Sequence, residues 1–347
     1  MLKKSIWIMA FVLLAFVLQF TGFAAPPVEA MEIGAEGIGL GLMVNRATLN
    51  SVFVNLKTTF HRAFGAAESQ WQEVAMRVPS TSKRNDYHWL SSFPKMRKWV
   101  GEKVAKSLEA FKYSIVNDDW EATIEVDRND IEDDELGIYE PQAQMAGYSA
   151  KQLPDEIVSD LLNYAFAALC YDGQYFYDTD HPVGDGDGGT ISVSNKGTAQ
   201  LSIATQAAAA ASYGAARIAM MSLKDDEGRP LNVTPGVLEV GPALMDTANA
   251  LMTNDRLEDG KVNAYKGTAK VKVNPRITST TAWFLHDTSK PIKPFIYQER
   301  KAPVFVQQTD PQSENVFNQK KFKFGAEARA AGGYGLWQLS YASDGSV

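Results

Sequence analysis

Residues 139–182 read YEPQAQMAGYSAKQLPDEIVSDLLNYAFAALCYDGQYFYDTDHP. Over roughly the first thirty of these, Met145, Tyr148, Leu153, Ile157, Leu161, Ala165 and Ala168 recur at three- to five-residue steps. That spacing predicts one long amphipathic helical element with those residues on a single buried stripe. Pro141 suits the first turn, where a missing N–H costs nothing. Pro154 stands in mid-run and is expected to kink or restart the helix, with Asp155 and Glu156 placed near a new N-terminus. Unkinked, such an element spans about 45 Å, more than a small domain needs, which marks it as a beam on which other parts hang. It gives way to an aromatic knot, Tyr171-Asp172-Gly173-Gln174-Tyr175-Phe176, and then to Asp178-Thr179-Asp180-His181-Pro182.

The flanks supply shorter elements. Leu49, Val52, Phe53, Leu56, Phe60 and Phe64 are spaced for one helix face within 47–70. Residues 71–130 alternate in strand fashion: Val74 to Pro79, Phe111 to Val116 and Trp120 to Val126. After the knot, 183–189 reads as a flexible Gly/Asp loop. The Ala-rich run 199–221 predicts a helix, 231–242 a strand broken by turns, 243–252 a short helix, and 270–275 and 283–286 strands. From Pro291, alternation at Phe295/Tyr297, Val304/Val306, Phe317, Phe322/Phe324 and Trp337/Leu339 predicts antiparallel strands lying beneath the long helix. Residues 31–42 are Gly-rich and lack periodicity. Residues 1–30 have a basic start (Lys3, Lys4), an apolar run of about fifteen residues and a small-residue close at Val28-Glu29-Ala30, the composition of a secretory signal peptide. The run is shorter than the roughly twenty residues a spanning helix needs.

The bulk numbers describe a folded globular chain: 347 residues, 45% hydrophobic, 22% charged. Net charge is −7, and removing Lys3, Lys4 and Glu29 with the leader leaves −8. An acidic surface does not favour nucleic-acid binding by counterion release. Cys170, the only cysteine, excludes an intrachain disulfide, and a small buried thiol is expected there. No GxSxG elbow, Walker loop or HExxH is present. The four histidines, His61, His88, His181 and His286, are far apart in sequence. Asp185 and Asp187 fall short of a calcium loop, which needs further oxygen ligands and a closing Glu. Asp178, Asp180 and His181 could gather a metal, but a loop fixed by local hydrogen bonds around Pro182 accounts for them. No catalytic, cofactor-binding or metal-binding residues are assigned, and no enzyme is expected.

The acidic approach Asp130-Ile131-Glu132-Asp133-Asp134, the long helix and DGQYFYDTDHP, followed by Ile292-Lys293-Pro294-Phe295-Ile296-Tyr297-Gln298-Glu299-Arg300 and Gly332-Gly333-Tyr334-Gly335-Leu336-Trp337-Gln338, resemble the major head subunits of Mu-type tailed phages. The similarity runs from near Met43 to the end, about nine-tenths of the chain. It implies an α+β, HK97-like capsid fold with a long spine helix, an extended β-hairpin (the E-loop), and peripheral and apical domains. The implied division is an N-terminal arm over 31–70, an E-loop-like hairpin region over 71–130, spine helix and peripheral domain over 131–224, an apical-like domain over 225–290, and returning peripheral strands over 291–347. Covalent cross-linking through Lys95, Lys98, Lys103 or Lys106 is not expected of Mu-type shells. Arg300, Lys301, Lys320, Lys321, Lys323 and Arg329 are read as a solvated face, or, as the resemblance implies, as forming intersubunit salt bridges with the acids of 127–135.

The implied function is a self-assembling icosahedral shell of hexamers and pentamers enclosing double-stranded DNA, contacted non-specifically. Its partners would be scaffold and portal proteins, with no membrane, and it would be a virion component assembled in the bacterial cytoplasm. The leader conflicts with that location. Three readings stand: translation starts at Met31 or Met43, the leader is genuine, or two unrelated pieces are joined. The alternatives are an encapsulin-like nanocompartment shell, or an exported envelope protein if residues 1–30 are a true signal peptide.

Overall fold

The computed structural model describes residues 44–91, 113–133, 136–185, 189–225, 227–310 and 314–347. The leader, the Gly-rich 31–42 and Lys95, Lys98, Lys103 and Lys106 lie outside them. The Asn45 side chain accepts from the amides of Ala47 and Thr48 and so caps α1 (Arg46–Ala66). Leu49, Val52, Leu56 and Phe60 are its buried face, as their spacing predicts. This stretch, placed in an N-terminal arm by resemblance, packs against the long helix of its own chain. In chain order there follow β1 (Ala75–Pro79), β2 (Arg84–Asp86), β3 (Ser114–Val116), β4 (Asp118–Asp127) and the long helix α2 (Glu140–Tyr164).

Helix α2 has Pro141 in its first turn and continues through Pro154 as one helix, where a restart was expected. It is 25 residues long, shorter than expected, because the chain turns at Ala165 into the knot. The predicted stripe holds only in its second half. Leu153, Ile157 and Ala165 are buried, whereas Met145 and Tyr148 are 65% and 47% exposed. In the first half the buried residues are small: Ala143, Ala146 and Gly147. The reason is α1, which comes so close that a Cβ at Gly147 would lie 2.3 Å from the Phe60 carbonyl oxygen.

Beyond the knot come β5 (His181–Gly184), β6 (Thr190–Val193), β7 (Lys196–Gly197), a helix over 206–221 (α3), β8 (Val237–Val240), α4 (Met245–Thr253), β9 (Lys270–Val273), β10 (Trp283–His286), β11 (Phe295–Gln308), β12 (Lys321–Tyr334) and β13 (Ser340–Ser343). Of the loop predicted at 183–189, Val183 and Gly184 belong to β5 and pair with Ile191 and Thr190 of β6, while 186–188 lie outside the described residues. Helix α3 starts later than predicted, capped by Thr205, and widens into a π-helical turn at Ala210–Gly214. Phe317 sits in a short helix, Glu314–Gln319, and not in a strand.

Two sheets carry the chain. The first runs β1-β11-β12-β4, with β1 parallel to β11 and the other pairs antiparallel. The second runs β7-β13-β10-β8-β9. So the closing third divides: β11 and β12 return beneath α2 as expected, but β13 crosses to the second sheet beside β10. The 71–130 region divides as well. Strands β1 and β4 are the edges of the first sheet, and among the described residues of this region only β2 and β3 pair with each other, a short two-stranded ribbon with its base at the Arg84–Val116 pair. Asn117 anchors that base, donating to Ser80 Oγ and Ser82 O at 2.9 Å and accepting from buried Gln298 Nε2 at 2.8 Å.

Several of the basic residues pair within the chain itself. Lys301 pairs with Glu327, Lys321 and Lys323 with Glu125, and Arg329 with Asp119, all across neighbouring strands of the chain's own sheet. Helix α2 bridges two hydrophobic cores. Ala143 and Ala146 belong to one with α1, β4 and Phe322/Phe324, while Leu153, Ile157, Val158 and Leu162 belong to the other, which holds the knot and the second sheet. No helix among the described residues is long and apolar enough to cross a membrane.

Candidate functional site

The three strings singled out in the sequence meet in space. Phe176 of the knot is fully buried, stacked on Tyr334 at 4.7 Å and tilted against Phe295 at 5.2 Å. The Tyr171 hydroxyl meets the Gln338 amide at 2.9 Å. His181 lies flat on Trp337, ring centroids 4.0 Å apart. The paired glycines between them make this closeness possible. At Gly332 a Cβ would strike Ile157 and Leu161 of α2, and at Gly333 it would strike Ile115 of β3. One strand end is thus clamped between the long helix and the ribbon base, on opposite faces.

The knot is fixed by polar contacts as well as rings. Asp172 accepts from Cys170 Sγ at 3.0 Å and from the Gln174 amide, and its other oxygen lies 2.7 Å from His181 Nδ1. Burial alone would raise the Asp172 pKa, but hydrogen bonds from His181 and Cys170 outweigh it and hold the carboxyl low. Burial pushes the Cys170 thiol up, and Asp172 adds to that. The suggested Asp178–Asp180–His181 grouping does not form. Asp180 is exposed, and Asp178 accepts from the amides of Tyr175 and Thr179. Cys170 is the buried thiol that sequence reading expects, but its contact with Asp172 was not foreseen.

A second polar chain crosses the core of the second sheet. Glu239 takes Lys272 Nζ at 3.1 Å and Asn274 Nδ2 at 2.8 Å on one oxygen, and its other oxygen lies 3.4 Å from His286 Nε2. His286 Nδ1 meets Ser340 Oγ at 2.8 Å, and Ser340 meets Tyr177 OH at 2.6 Å. Burial would raise the Glu239 pKa, but Lys272, then His286 and Asn274, bring it down to about 2. Burial pushes His286 below its usual range, opposed by Glu239. The order carboxylate–imidazole–hydroxyl is that of a hydrolase triad. Here all three residues are 0% exposed, so no substrate reaches Ser340 Oγ without opening the sheet. The arrangement serves as a structural tie.

The sequence profile of the Mu-like prophage major head subunit gpT family matches residues 49–206, 197–277 and 273–347. The chain belongs to this family. It is 31% identical over 299 residues to the Mu-like prophage FluMu major head subunit of Haemophilus influenzae, covering 86% of this chain and 74% of that protein. It is 30% identical over 306 residues to the major capsid protein of Escherichia phage Mu, covering 88% and 76%. Among solved structures, the procapsid of bacteriophage JBD30 is similar at 31% identity with TM-score 0.56, covering 86% of this chain and 76% of that one. A virus-like particle from Pyrococcus furiosus, 9% identical with TM-score 0.50 over 84% and 98%, shares the fold alone. The HK97-like α+β reading therefore holds, and the family is one of structural capsid proteins, not of enzymes.

In a head subunit the functional surfaces are those that meet other molecules. A groove of about 880 Å³ lies where α1, the segment after it and residues 272–276 meet α2, walled by Arg62, Trp71, Met145, Tyr148, Asp155 and Arg276. Further large apolar side chains stand in solvent at Tyr164, Leu169 and Tyr175 beside the knot, and at Ile218 and Met221 on α3.

Proposed function

We propose that copies of this head subunit assemble in the bacterial cytoplasm into a closed icosahedral shell of hexamers and pentamers. The shell forms around a scaffold, closes at a portal and encloses double-stranded DNA without reading its sequence. The subunit turns over no substrate. The observation that carries this reading is the contrast along α2. Its inner face bridges both cores of the chain, while its outer face leaves Met145 and Tyr148 exposed over a groove. A beam rigid within the chain and apolar on its outside is suited to transmit contacts among neighbours. A net charge of −7 fits a container better than a DNA-binding module. Burial of the Glu239–His286–Ser340 tie supports the absence of hydrolytic chemistry.

The test is co-expression of the chain with its scaffold protein, followed by electron microscopy of the purified product. Closed particles of uniform diameter are expected. Only monomers or small oligomers in the presence of scaffold would overturn the reading.

A further inference from the structure

We infer that Cys170, Asp172 and His181 form a binding site for one divalent transition-metal ion of the zinc class. One donor atom from each residue lies within 4.8 Å of the other two. The His181 and Asp172 side chains are 0% and 5% exposed, and Cys170 is buried to the same degree. A sulfur, an imidazole nitrogen and a carboxylate oxygen are the donors zinc takes, whereas calcium and magnesium take oxygen alone.

The orientation of the histidine carries the inference. Asn195 Nδ2 donates to Phe176 O at 2.8 Å, with Trp337 O and Ser340 O close by at 3.4 and 3.3 Å. That fixes which way the amide faces and turns Oδ1 toward His181 Nε2, 3.2 Å away. An amide oxygen only accepts, so Nε2 carries a hydrogen. Trp337, stacked on the ring, keeps it from turning. Nδ1 then faces Asp172 Oδ2, which as a carboxylate oxygen also only accepts. The gap between Nδ1 and Oδ2, with Cys170 Sγ beside it, is where a metal ion would be held. A ligating histidine held through its second nitrogen by a neighbouring acceptor is the usual support of a zinc site.

A dication held by the Asp172 carboxylate, a neutral His181 imidazole and the Cys170 thiolate makes a site with no net charge, the thiol proton leaving to solvent as the metal enters. No uncompensated charge is then buried, which would be costly. Gly173 and Tyr175 are exposed in the turn over the site, so an ion enters from the surface. Once bound, it fastens the knot to β5 at the point where the three sequence strings meet.

The test uses the full chain, stripped of metal, dialysed and titrated with cobalt(II). Cys170 is the only cysteine, so a thiolate-to-cobalt charge-transfer band has one source. One cobalt per chain is expected, with that band, bleached on adding one equivalent of zinc. Zinc should raise the thermal midpoint of the native chain and leave that of Cys170→Ser unchanged. Asp172→Asn, near-isosteric, should weaken cobalt binding at least 10-fold, with circular dichroism confirming that both variants fold. Absence of the band from the folded native chain overturns the proposal. So does cobalt bound without the band, or a band whose affinity Asp172→Asn leaves unchanged.

Discussion

Glu239 shows what a single residue does here that its sequence context conceals. Val237-Leu238-Glu239-Val240 lies in the stretch read as a strand broken by turns, and all four residues, the acid included, are buried. The acid is tolerated because Lys272 and Asn274 satisfy it. Removing one partner of a buried pair leaves the other charge stranded, at about 3–5 kcal/mol. Glu239→Ala should therefore lower the stability of the unassembled subunit by that order, read from urea unfolding. The pH dependence follows from the folded-state pKa of about 2 against an ordinary 4.5. The carboxyl is held down on folding, so its contribution is complete above about pH 4.5 and is lost as pH falls toward 2. Acidification through that window should lower the urea midpoint of the native chain more steeply than that of Glu239→Gln. Equal slopes would show that Glu239 is not the group titrating. The recognisable strings behave differently. DGQYFYDTDHP and GGYGLWQ were legible as signatures, but nothing in either says that His181 stacks on Trp337 or that Gly332 and Gly333 serve opposite faces of one strand. Those contacts are between residues more than a hundred positions apart, and periodicity carries no such information.

At the scale of elements, α2 was legible in its second half and misread in its first. Hydrophobic periodicity weights large side chains, and so it put Met145 and Tyr148 on the inner face. The real contact with α1 is made by Ala143, Ala146 and Gly147, whose smallness is what lets two helices approach. Glycines within the two helices make the point testable, because they should respond in opposite directions. Gly147→Ala places a methyl 2.3 Å from the Phe60 carbonyl oxygen, a backbone atom that cannot step aside. The helices must separate, and a loss of about 1–3 kcal/mol is expected. Gly65 in α1 has nothing within 4 Å of an added Cβ, and Gly65→Ala should be neutral or stabilising by up to about 1 kcal/mol through helix propensity alone. Thermal unfolding of the two variants side by side decides it. A Gly147→Ala subunit as stable as the native one would mean that the α1–α2 crossing is looser than described. The ribbon base and the crossover of β13 were beyond pattern reading for a different reason. Alternation identifies a strand but not its sheet, and β13 joins the second sheet only because the chain turns at Trp337–Leu339.

For the whole molecule the question is which apolar surface serves folding and which serves assembly, since a shell subunit needs both. Leu153 is 6% exposed and packs in the larger core, while Met145, eight positions earlier on the same helix, is 65% exposed. Substitutions at the two positions should separate the roles. Leu153→Ala removes buried volume and should cost about 2–5 kcal/mol in the isolated subunit, with particle yield falling because less folded protein is available. The double substitution Met145→Asp and Tyr148→Asp touches side chains that make little contact within the chain. Its effect on unfolding of the isolated subunit should stay within about 0.5 kcal/mol. Two new carboxylates on the outer face of α2 would, however, be desolvated at any neighbour that covers the groove, and charges left unpaired in that way are costly. Sedimentation and electron microscopy should then find a folded subunit with a native unfolding curve that no longer closes into particles. If the doubly charged subunit still forms shells at native yield, the outer face of α2 is not a shell contact. The exposed apolar residues beside the knot and on α3, among them Tyr164, Leu169, Tyr175, Ile218 and Met221, would then be the next to charge in the same way.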